Sequence, residues 1–281
     1  MVCQIGHFIG GKHVDDTSSL FVDIFNPSTG AMQARVARAT SLGLRATVEN
    51  AKVAQIGWGA ANPQRRARVL MKFLKLVNKG HDFLVALLSG EHGKAVPDAK
   101  GNIQRGLEVI EFFFGIPHLQ KGEYSESAGT GIDVFSMRQS LGVVAGITPF
   151  NFLAMIPLWK ARWALAYSNA MILKLSERDP SVPMRIAELF LKAGLALGVL
   201  NVVNGDKVSH DAILSDPDIK AIDFLGSMPT AYHTFSGWKR SGFGDLNQHR
   251  PDSVRLFSKT KTAPWPFSDE GSLRFVIPTM A

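Results

Sequence analysis

Between residues 141 and 227, short and strongly apolar runs alternate with segments in which apolar residues recur at helical spacing. This alternation has the spacing of successive βαβ units and predicts a parallel sheet with helices on its faces. The predicted fold class is therefore α/β, a doubly wound parallel Rossmann-like sheet with peripheral helices and β-strands. The predicted strands are residues 141–147, 170–175, 199–203 and 220–225, and the helices between them are residues 154–168, 182–193 and 207–214.

The first 140 residues follow a different pattern. Apolar and glycine residues between positions 5 and 25, followed by the turn sequence NPSTG at 26–30, predict short strands in a peripheral β-layer. Asn62 and Pro63 suit an N-cap and a first helical position, so a long helix is expected from there, and a second from near Pro97. The apolar residues at helical spacing are Val69, Leu70, Phe73, Leu74 and Val77 in the first helix, and Ile103, Leu107, Ile110 and Phe114 in the second.

The alternation stops after Ser227. Residues 228–281 are rich in glycine, proline and aromatic residues, and only residues 254–257 and 273–277 have the composition of strands. We therefore divide the chain into an N-terminal β-layer with helices (1–140), a βαβ sheet (141–227) and a C-terminal segment (228–281).

Composition narrows the cellular context. Hydrophobic residues make up 46% of the chain and charged residues 20%, which is ordinary for a globular protein. Cys3 is the only cysteine, which excludes an internal disulfide and a cysteine-based metal cluster and favours a reducing compartment. The N-terminal residues lack a signal-peptide pattern, and Pro157, Lys160 and Arg162 interrupt the most apolar region. We expect a cytoplasmic protein with no membrane span and no metal site, in which Lys160 and Arg162 could reach solvent by snorkelling.

The net charge of +7 permits binding to nucleic acid, anionic membranes or phosphorylated ligands. The basic residues are scattered along the sequence, however. The densest cluster is Arg65, Arg66 and Arg68, at the start of the first amphipathic helix, where it is expected to form the solvated face. We therefore predict neither a nucleic-acid nor a membrane partner.

Candidate functional residues follow the predicted strands, at the sheet edge where parallel sheets bind ligands. The first group is Thr148, Pro149, Phe150 and Asn151. The amide of Asn151 can donate a hydrogen bond to a developing oxyanion, although an asparagine at such a position is commonly a helix cap.

The second group, Lys174, Ser176 and Glu177, could grip ribose hydroxyls through charge-assisted hydrogen bonds, although such residues are more often a solvated surface pair. The remaining candidates offer backbone to a ligand. Gly205 permits close approach of a cofactor, and Gly226 with Ser227 precedes a helix start that could hold pyrophosphate.

Several runs, in order along the chain, carry a resemblance to a known family. They are DAKGNIQRGLE at 98–108, GIPHL at 115–119, PFNF at 149–152 and AMIPLW at 154–159, with FSGWKRS at 235–241 and VIPTM at 276–280 near the C-terminus. The chain resembles the aldehyde dehydrogenase superfamily, and within it most closely the CoA-acylating methylmalonate-semialdehyde dehydrogenases. The resemblance covers nearly the whole chain.

The resemblance implies attack by a cysteine thiolate on an aldehyde, hydride transfer to NAD, and release of the acyl group to CoA. Residues 141–227 would bind NAD, and residues 228–281 would serve assembly as a homo-oligomer or with an intact relative. On matching positions, Asn151 would be the oxyanion donor and Arg105 the partner of a substrate carboxylate. The cofactor contacts would be Thr148, Pro149, Phe150, Ser176 and Gly205, with Lys174 and Glu177 at the adenosine ribose and Gly226 and Ser227 at the pyrophosphate.

The chain also departs from the family pattern. The family's catalytic cysteine and general-base glutamate belong to a domain between the sheet and the C-terminal segment, and both are absent. The sequence passes from FLGS at 224–227 directly to MPTAYH at 228–233, which resembles a join between two distant family segments. Cys3 precedes the first convincing element, where no base or helix start is evident to activate it.

We therefore expect a truncated aldehyde dehydrogenase fold that is catalytically inactive and in which NAD binding is weak or lost. The alternative is a non-catalytic assembly or binding subunit of an intact dehydrogenase. A third hypothesis, an anionic-ligand or nucleic-acid binder, rests only on the net charge.

Overall fold

The computed structural model describes residues 3–15, 20–225 and 257–266. Gly226, Ser227 and the predicted strand at residues 273–277 lie outside these ranges. Residues 254–256 of the other predicted C-terminal strand, 254–257, also lie outside them. The helices are α1 (Ser41–Ala60), α2 (Pro63–Lys79), α3 (His81–His92), α4 (Val96–Glu111), α5 (Ile116–Leu119), α6 (Met155–Ala166), α7 (Ser181–Ala193) and α8 (Lys207–Ser215), with a 3₁₀ turn at Phe112–Gly115. The strands are β1 (Cys3–Ile5), β2 (His7–Ile9), β3 (Lys12–Val14), β4 (Phe21–Phe25), β5 (Met32–Ala37), β6 (Tyr124–Gly129), β7 (Ile132–Ser140), β8 (Val143–Ile147), β9 (Ala170–Leu175), β10 (Leu200–Asn204), β11 (Ile219–Phe224) and β12 (Ser258–Pro266).

The centre of the fold is a six-stranded sheet in the order β11-β8-β9-β10-β2-β3. β11, β8, β9 and β10 are parallel, which confirms the predicted parallel sheet and its four strands. The helices α6, α7 and α8 connect these strands, as the apolar spacing predicted. Because the four strands run the same way, their carboxyl ends meet at one edge of the sheet.

The N-terminal strands do not form one peripheral layer. β2 pairs antiparallel with β10, and β3 with β2, so both strands extend the central sheet. Only β1, β4 and β5 form a separate three-stranded sheet. Strands of three residues contain too little alternation to reveal which sheet they will join.

The two helices predicted before residue 141 are present. Asn62 caps α2, because its side-chain oxygen accepts a hydrogen bond of 2.8 Å from the Arg65 amide. The buried apolar face of α4 ends at Ile110, before the predicted last position, Phe114. The 3₁₀ turn that follows α4 advances the chain by a tighter angle, so Phe113 is buried in place of Phe114.

A third sheet, in the order β12-β7-β6, was not predicted from the sequence, and neither were α1 and α3. β12 pairs with β7 along its whole length, from Ser258 opposite Ser140 to Pro266 opposite Ile132. The preceding residue, Phe257, is buried, and its carbonyl accepts a hydrogen bond of 3.0 Å from the Asn169 amide nitrogen. The interpretation of residues 228–281 as loop with strands only at 254–257 and 273–277 is therefore wrong at β12.

α6 is buried along its whole length between the central sheet and α4. Lys160 and Arg162 are 0% and 2% exposed, so the expectation that they snorkel to solvent is wrong. Lys160 instead lies over Gly146, where a Cβ would stand 3.0 Å from its Cδ. Its ammonium forms an ion pair of 2.8 Å with Asp223 on β11. Burial lowers the pKa of Lys160, although Asp223 opposes the shift.

Arg162 has no comparable partner. Its guanidinium carbon lies 5.7, 5.9 and 5.2 Å from the rings of Phe113, Trp159 and Trp163. Nε and Nη1 make no hydrogen bond within the described part of the chain. Cation–π contacts offset part of the cost of burying this charge, but burial still lowers the pKa of Arg162. None of the described helices is long and apolar enough to cross a bilayer.

A mutant cycle tests the buried ion pair. Lys160→Met leaves the Asp223 carboxylate buried and unpaired, so we expect the free energy of unfolding to fall by about 3–5 kcal/mol. Lys160→Met/Asp223→Ala removes both charges and should recover most of that loss. Urea unfolding followed by tryptophan fluorescence measures each value. For comparison, Arg162→Met removes a buried guanidinium whose Nε and Nη1 make no hydrogen bond to a described residue, so it should destabilise the fold less than Lys160→Met does. A double variant no more stable than Lys160→Met would contradict the pairing.

Candidate functional site

The ends of the four parallel strands are in register. Ile147 pairs with Phe224 on one side and with Lys174 on the other, and Leu175 pairs with Asn204. The residues that follow these strands therefore lie side by side along one sheet edge. They include all the candidates that the sequence placed after strands and that the structure describes: Thr148, Pro149, Phe150, Asn151, Ser176, Glu177 and Gly205. Lys174 is the penultimate residue of β9.

Thr148 joins two strand ends. Its backbone amide and its hydroxyl both donate to the Lys174 carbonyl, at 3.1 and 3.3 Å. The hydroxyl is therefore engaged in the scaffold, and the contribution of Thr148 to ligand binding stays a prediction.

Asn151 is available to a ligand. The helix that follows it, α6, is capped from a distance by Asn102 of α4, whose side-chain oxygen accepts from the amides of Ala154 and Met155 at 3.3 and 2.9 Å. Asn151 is thus not the helix cap that its position after a strand suggested. Its carboxamide is half-buried, and its oxygen makes no hydrogen bond to a described residue.

Lys174 and Glu177, two of the predicted cofactor contacts, lie close together. Lys174 is 7% exposed, and its ammonium lies 3.8 Å from a carboxylate oxygen of Glu177. Burial lowers the pKa of Lys174, while the negative charges of Glu177 and Asp206 act in the opposite direction. A partly desolvated donor beside a half-exposed acceptor matches the hydrogen-bonding needs of a vicinal diol. Ser176 instead accepts locally, from the Arg178 amide at 3.2 Å.

The flanking loops pack against each other through charged and aromatic groups. The Arg178 guanidinium lies 4.9 Å from the exposed Phe150 ring, and Lys94 lies 5.1 Å from the Phe152 ring. Pro149 is half-buried between Thr148 and Phe150. These contacts place Phe150 beside the loop that carries Glu177.

The requirement for glycine at position 205 comes from packing. A Cβ there would collide with the hydroxyl of Ser209 in α8, which itself donates 2.8 Å to the Ala39 carbonyl. Arg105 is exposed on α4, one turn after Asn102, and its carbonyl accepts 3.3 Å from the Trp159 indole. The roles of Gly205 toward a cofactor and of Arg105 toward a carboxylate stay predictions.

Sequence reasoning missed Glu91, which binds Ser181 at the end of the loop that carries Glu177. It lies at the end of α3 and accepts hydrogen bonds from the Ser181 amide and hydroxyl, at 3.0 and 2.6 Å, where α7 begins. Burial raises the pKa of Glu91 to about 7 against the opposing Ser181 hydrogen bonds, with Asp179 adding to the rise. Burial likewise raises the pKa of Asp179 to about 7. An acidic residue at the end of its own helix has no sequence pattern that reveals such a distant role.

Comparison with known proteins identifies the architecture. Residues 13–234 match the model of the aldehyde dehydrogenase family. The chain belongs to the aldehyde dehydrogenase family. It is 46% identical over 235 residues to malonate-semialdehyde dehydrogenase of Pseudomonas aeruginosa, covering 83% of this chain and 47% of that protein. It is 42% identical over 233 residues to the acylating mitochondrial methylmalonate-semialdehyde dehydrogenase of Arabidopsis thaliana, covering 83% and 38%.

Solved aldehyde dehydrogenase structures agree with this assignment. A protein from Sinorhizobium meliloti 1021, described as a methylmalonate-semialdehyde dehydrogenase and complexed with NAD, matches with 59% identity and a TM-score of 0.80 over 81% of this chain and 46% of its own. Methylmalonate-semialdehyde dehydrogenase from Oceanimonas doudoroffii matches with 44% identity and a TM-score of 0.78, over 81% and 46%. The chain thus spans less than half the length of these aldehyde dehydrogenase relatives.

The two raised carboxyl pKa values predict how stability depends on pH. In the folded protein the pKa of Glu91 and that of Asp179 are both about 7, against ordinary values of 4.5 and 3.8, so folding favours the protonated form of each. The stability that these two carboxyl groups contribute should therefore be fully present below about pH 4 and be lost as the pH rises through 7, with Glu91 contributing on the order of 3 kcal/mol. Glu91→Gln should flatten this fall, as measured by urea unfolding between pH 4 and 8.

Asp218 provides a control of opposite sign. Hydrogen bonds from Lys52 and Arg45 lower its pKa to about 2, so its contribution to stability is lost only when the medium is more acidic than pH 4. Asp218→Asn should leave the slope between pH 5 and 8 unchanged. A Glu91→Gln variant with the parental slope would show that Glu91 ionises freely in the folded state.

Proposed function

We propose that this aldehyde dehydrogenase chain binds NAD weakly at the edge formed by β8, β9 and β10 and does not oxidise aldehydes by itself. The observation that carries the proposal is the position of Lys174 and Glu177, 3.8 Å apart on the same sheet edge as Asn151, whose side-chain oxygen has no hydrogen-bond partner among the described residues. Its relatives are named as malonate- and methylmalonate-semialdehyde dehydrogenases, so NAD-dependent, CoA-acylating oxidation of such semialdehydes is the ancestral activity proposed for the site.

The donor set suits the adenosine end of NAD. The Lys174 ammonium and the Glu177 carboxylate offer a donor and an acceptor to the two ribose hydroxyls. The NAD-bound structure at 59% identity supports this assignment. NAD would supply a hydride acceptor when bound. Gly226 and Ser227, proposed for the pyrophosphate, lie outside the described residues.

The proposed inactivity rests on the absence of a nucleophile. Cys3 is the chain's only cysteine, and it lies exposed on β1 in the sheet β1-β5-β4, separate from the central sheet that carries Asn151. Its thiol contacts only the backbone carbonyl of the adjacent Gln4, at 3.9 Å, among the described residues. Without a thiolate the amide of Asn151 has no covalent intermediate to stabilise.

Calorimetry with NAD tests the cofactor site. We expect weak binding that Lys174→Ala reduces about tenfold, because a charge-assisted hydrogen bond contributes about 1.5 kcal/mol or more. Lys192→Ala, which removes an exposed lysine near the end of α7, should not change NAD affinity. Equal affinities for the parent protein and Lys174→Ala would place the cofactor elsewhere.

Turnover is the second measurement on the same proteins. NADH production from malonate or methylmalonate semialdehyde with CoA should not exceed background. A rate above background that disappears in Cys3→Ser would overturn the proposed inactivity and make Cys3 the nucleophile.

The alternative function, a non-catalytic assembly subunit, is favoured by the third sheet. In the order β12-β7-β6, neither edge strand pairs with a further described strand. An open edge can accept a strand from a homo-oligomeric copy or from an intact relative. Light scattering after mixing with an intact relative should then give a mixed species of greater mass than either protein alone. Two unchanged masses would exclude this alternative.

A further inference from the structure

The solvent-facing side of α2 is a row of positive charges. Arg65, Arg68, Lys72, Lys75 and Lys79 are all exposed and follow one another at intervals of three and four residues. At 1.5 Å per residue this row, the α2 basic row, is about 21 Å long. The opposite face of α2 packs against the hydrophobic core. Its buried residues are Arg66, Ala67, Val69, Leu70, Phe73 and Val77.

α2 contains no acidic residue, unlike α1 and α3, the helices before and after it in the chain. In α1, α7 and α8 and at the start of α4, a carboxylate lies three or four residues from a cation, as is common in surface helices. Within the described part of the chain, by contrast, no member of the α2 basic row forms an ion pair. The pairs at the other helices are Arg45–Glu49 in α1, Lys94–Asp98 at the start of α4, Arg185–Glu188 in α7 and Lys207–Asp211 in α8.

This arrangement is electrostatically unfavourable in the isolated protein. Each successive pair of the row is a like-charged neighbour at i,i+3 or i,i+4, and such pairs destabilise a helix. Arg65 and Arg68 also lie in the first turns of α2, where the helix dipole already presents positive charge. A negatively charged partner laid along the row would relieve both effects.

The structure also revises the basic cluster seen in the sequence. Arg66 does not belong to the row, because its guanidinium is buried and donates to the Ala166 carbonyl at 2.9 Å and to Gln120. Burial lowers the pKa of Arg66 to about 10. Lys72, Lys75 and Lys79 join the row instead, so cations that look scattered in the sequence are aligned in space.

We propose that the α2 basic row binds the phosphate backbone of double-stranded nucleic acid without sequence preference. The row is one side chain wide and linear, which fits a strand of phosphates better than the plane of a bilayer. The apolar face of α2 is buried and cannot insert among lipids. α2 exposes no aromatic side chain on which an unpaired base could stack. Arginines beside a helix N-terminus favour phosphate oxygens in particular.

The surface is independent of the cofactor site and replaces the expectation of no nucleic-acid partner. Its affinity comes from counterion release, so binding must weaken steeply with salt. Five contacts predict a slope of about −4.5 when the logarithm of the association constant is plotted against that of the salt concentration.

The test is fluorescence anisotropy of a labelled random-sequence DNA duplex with the full chain over a series of NaCl concentrations. Lys72→Gln/Lys75→Gln should reduce the slope by about 2, because each phosphate contact contributes about 1. The matched control is Lys207→Gln/Lys220→Gln, which removes the same charge from exposed lysines that lie beside Asp211 and Asp218. The control should retain the parental slope.

Three results would overturn the proposal. No salt-sensitive binding to the duplex would remove it outright. Equal losses in the two double variants would show that net charge, and not the row, attracts DNA. Tighter binding to polyglutamate or to phosphatidylserine vesicles than to the duplex at the same ionic strength would assign the row to an acidic protein or a membrane surface instead.

Discussion

The complete burial of α6 is the constraint on which the candidate site depends. A helix enclosed on all sides must satisfy its first amides from within the protein, and Asn102 of α4 does so at 2.9 and 3.3 Å. That distant cap leaves Asn151, just before the helix, uncommitted. The same burial brings Lys160 over Gly146 and against Asp223, which ties the outermost parallel strand, β11, to the centre of the sheet. The burial of α6 also buries Arg162, which is unfavourable because its guanidinium packs against aromatic rings and two of its nitrogens make no hydrogen bond to a described residue.

The loops of the candidate site are held by residues 91–94, which span the end of α3 and the loop before α4. Glu91 at the end of α3 binds the start of α7, and Lys94, three residues later, contacts Phe152 beside Asn151. One short stretch of chain thereby fixes both the loop with Glu177 and the loop with Asn151. A nucleotide-binding edge can keep its shape on such supports without the residues that carry out covalent chemistry, and this separation underlies the proposed combination of weak NAD binding and inactivity.

Charge is distributed unevenly over the surface. Arg45 and Lys52 of α1 meet Asp216 and Asp218 in a network that connects α1 to the loop before β11. α2 has no carboxylates, and the cations of the α2 basic row form no ion pair with a described residue. The net charge of +7 therefore says less about which surface attracts anions than does the absence of acidic residues from α2.

The sequence by itself determined the four parallel strands, their crossover helices, the family, and the sheet-edge positions of Lys174, Glu177 and Asn151. These follow from local periodicity and from short motifs, which report which side of an element is buried. The tertiary structure alone decided that β2 joins β10, that Asn102 frees Asn151, and that Lys160 meets Asp223. Val202 and Phe8 are 194 residues apart in the sequence, Asn102 and Ala154 are 52 apart, and Lys160 and Asp223 are 63 apart. Periodicity carries no information about such distant partners, because it is the packing of elements that brings them together.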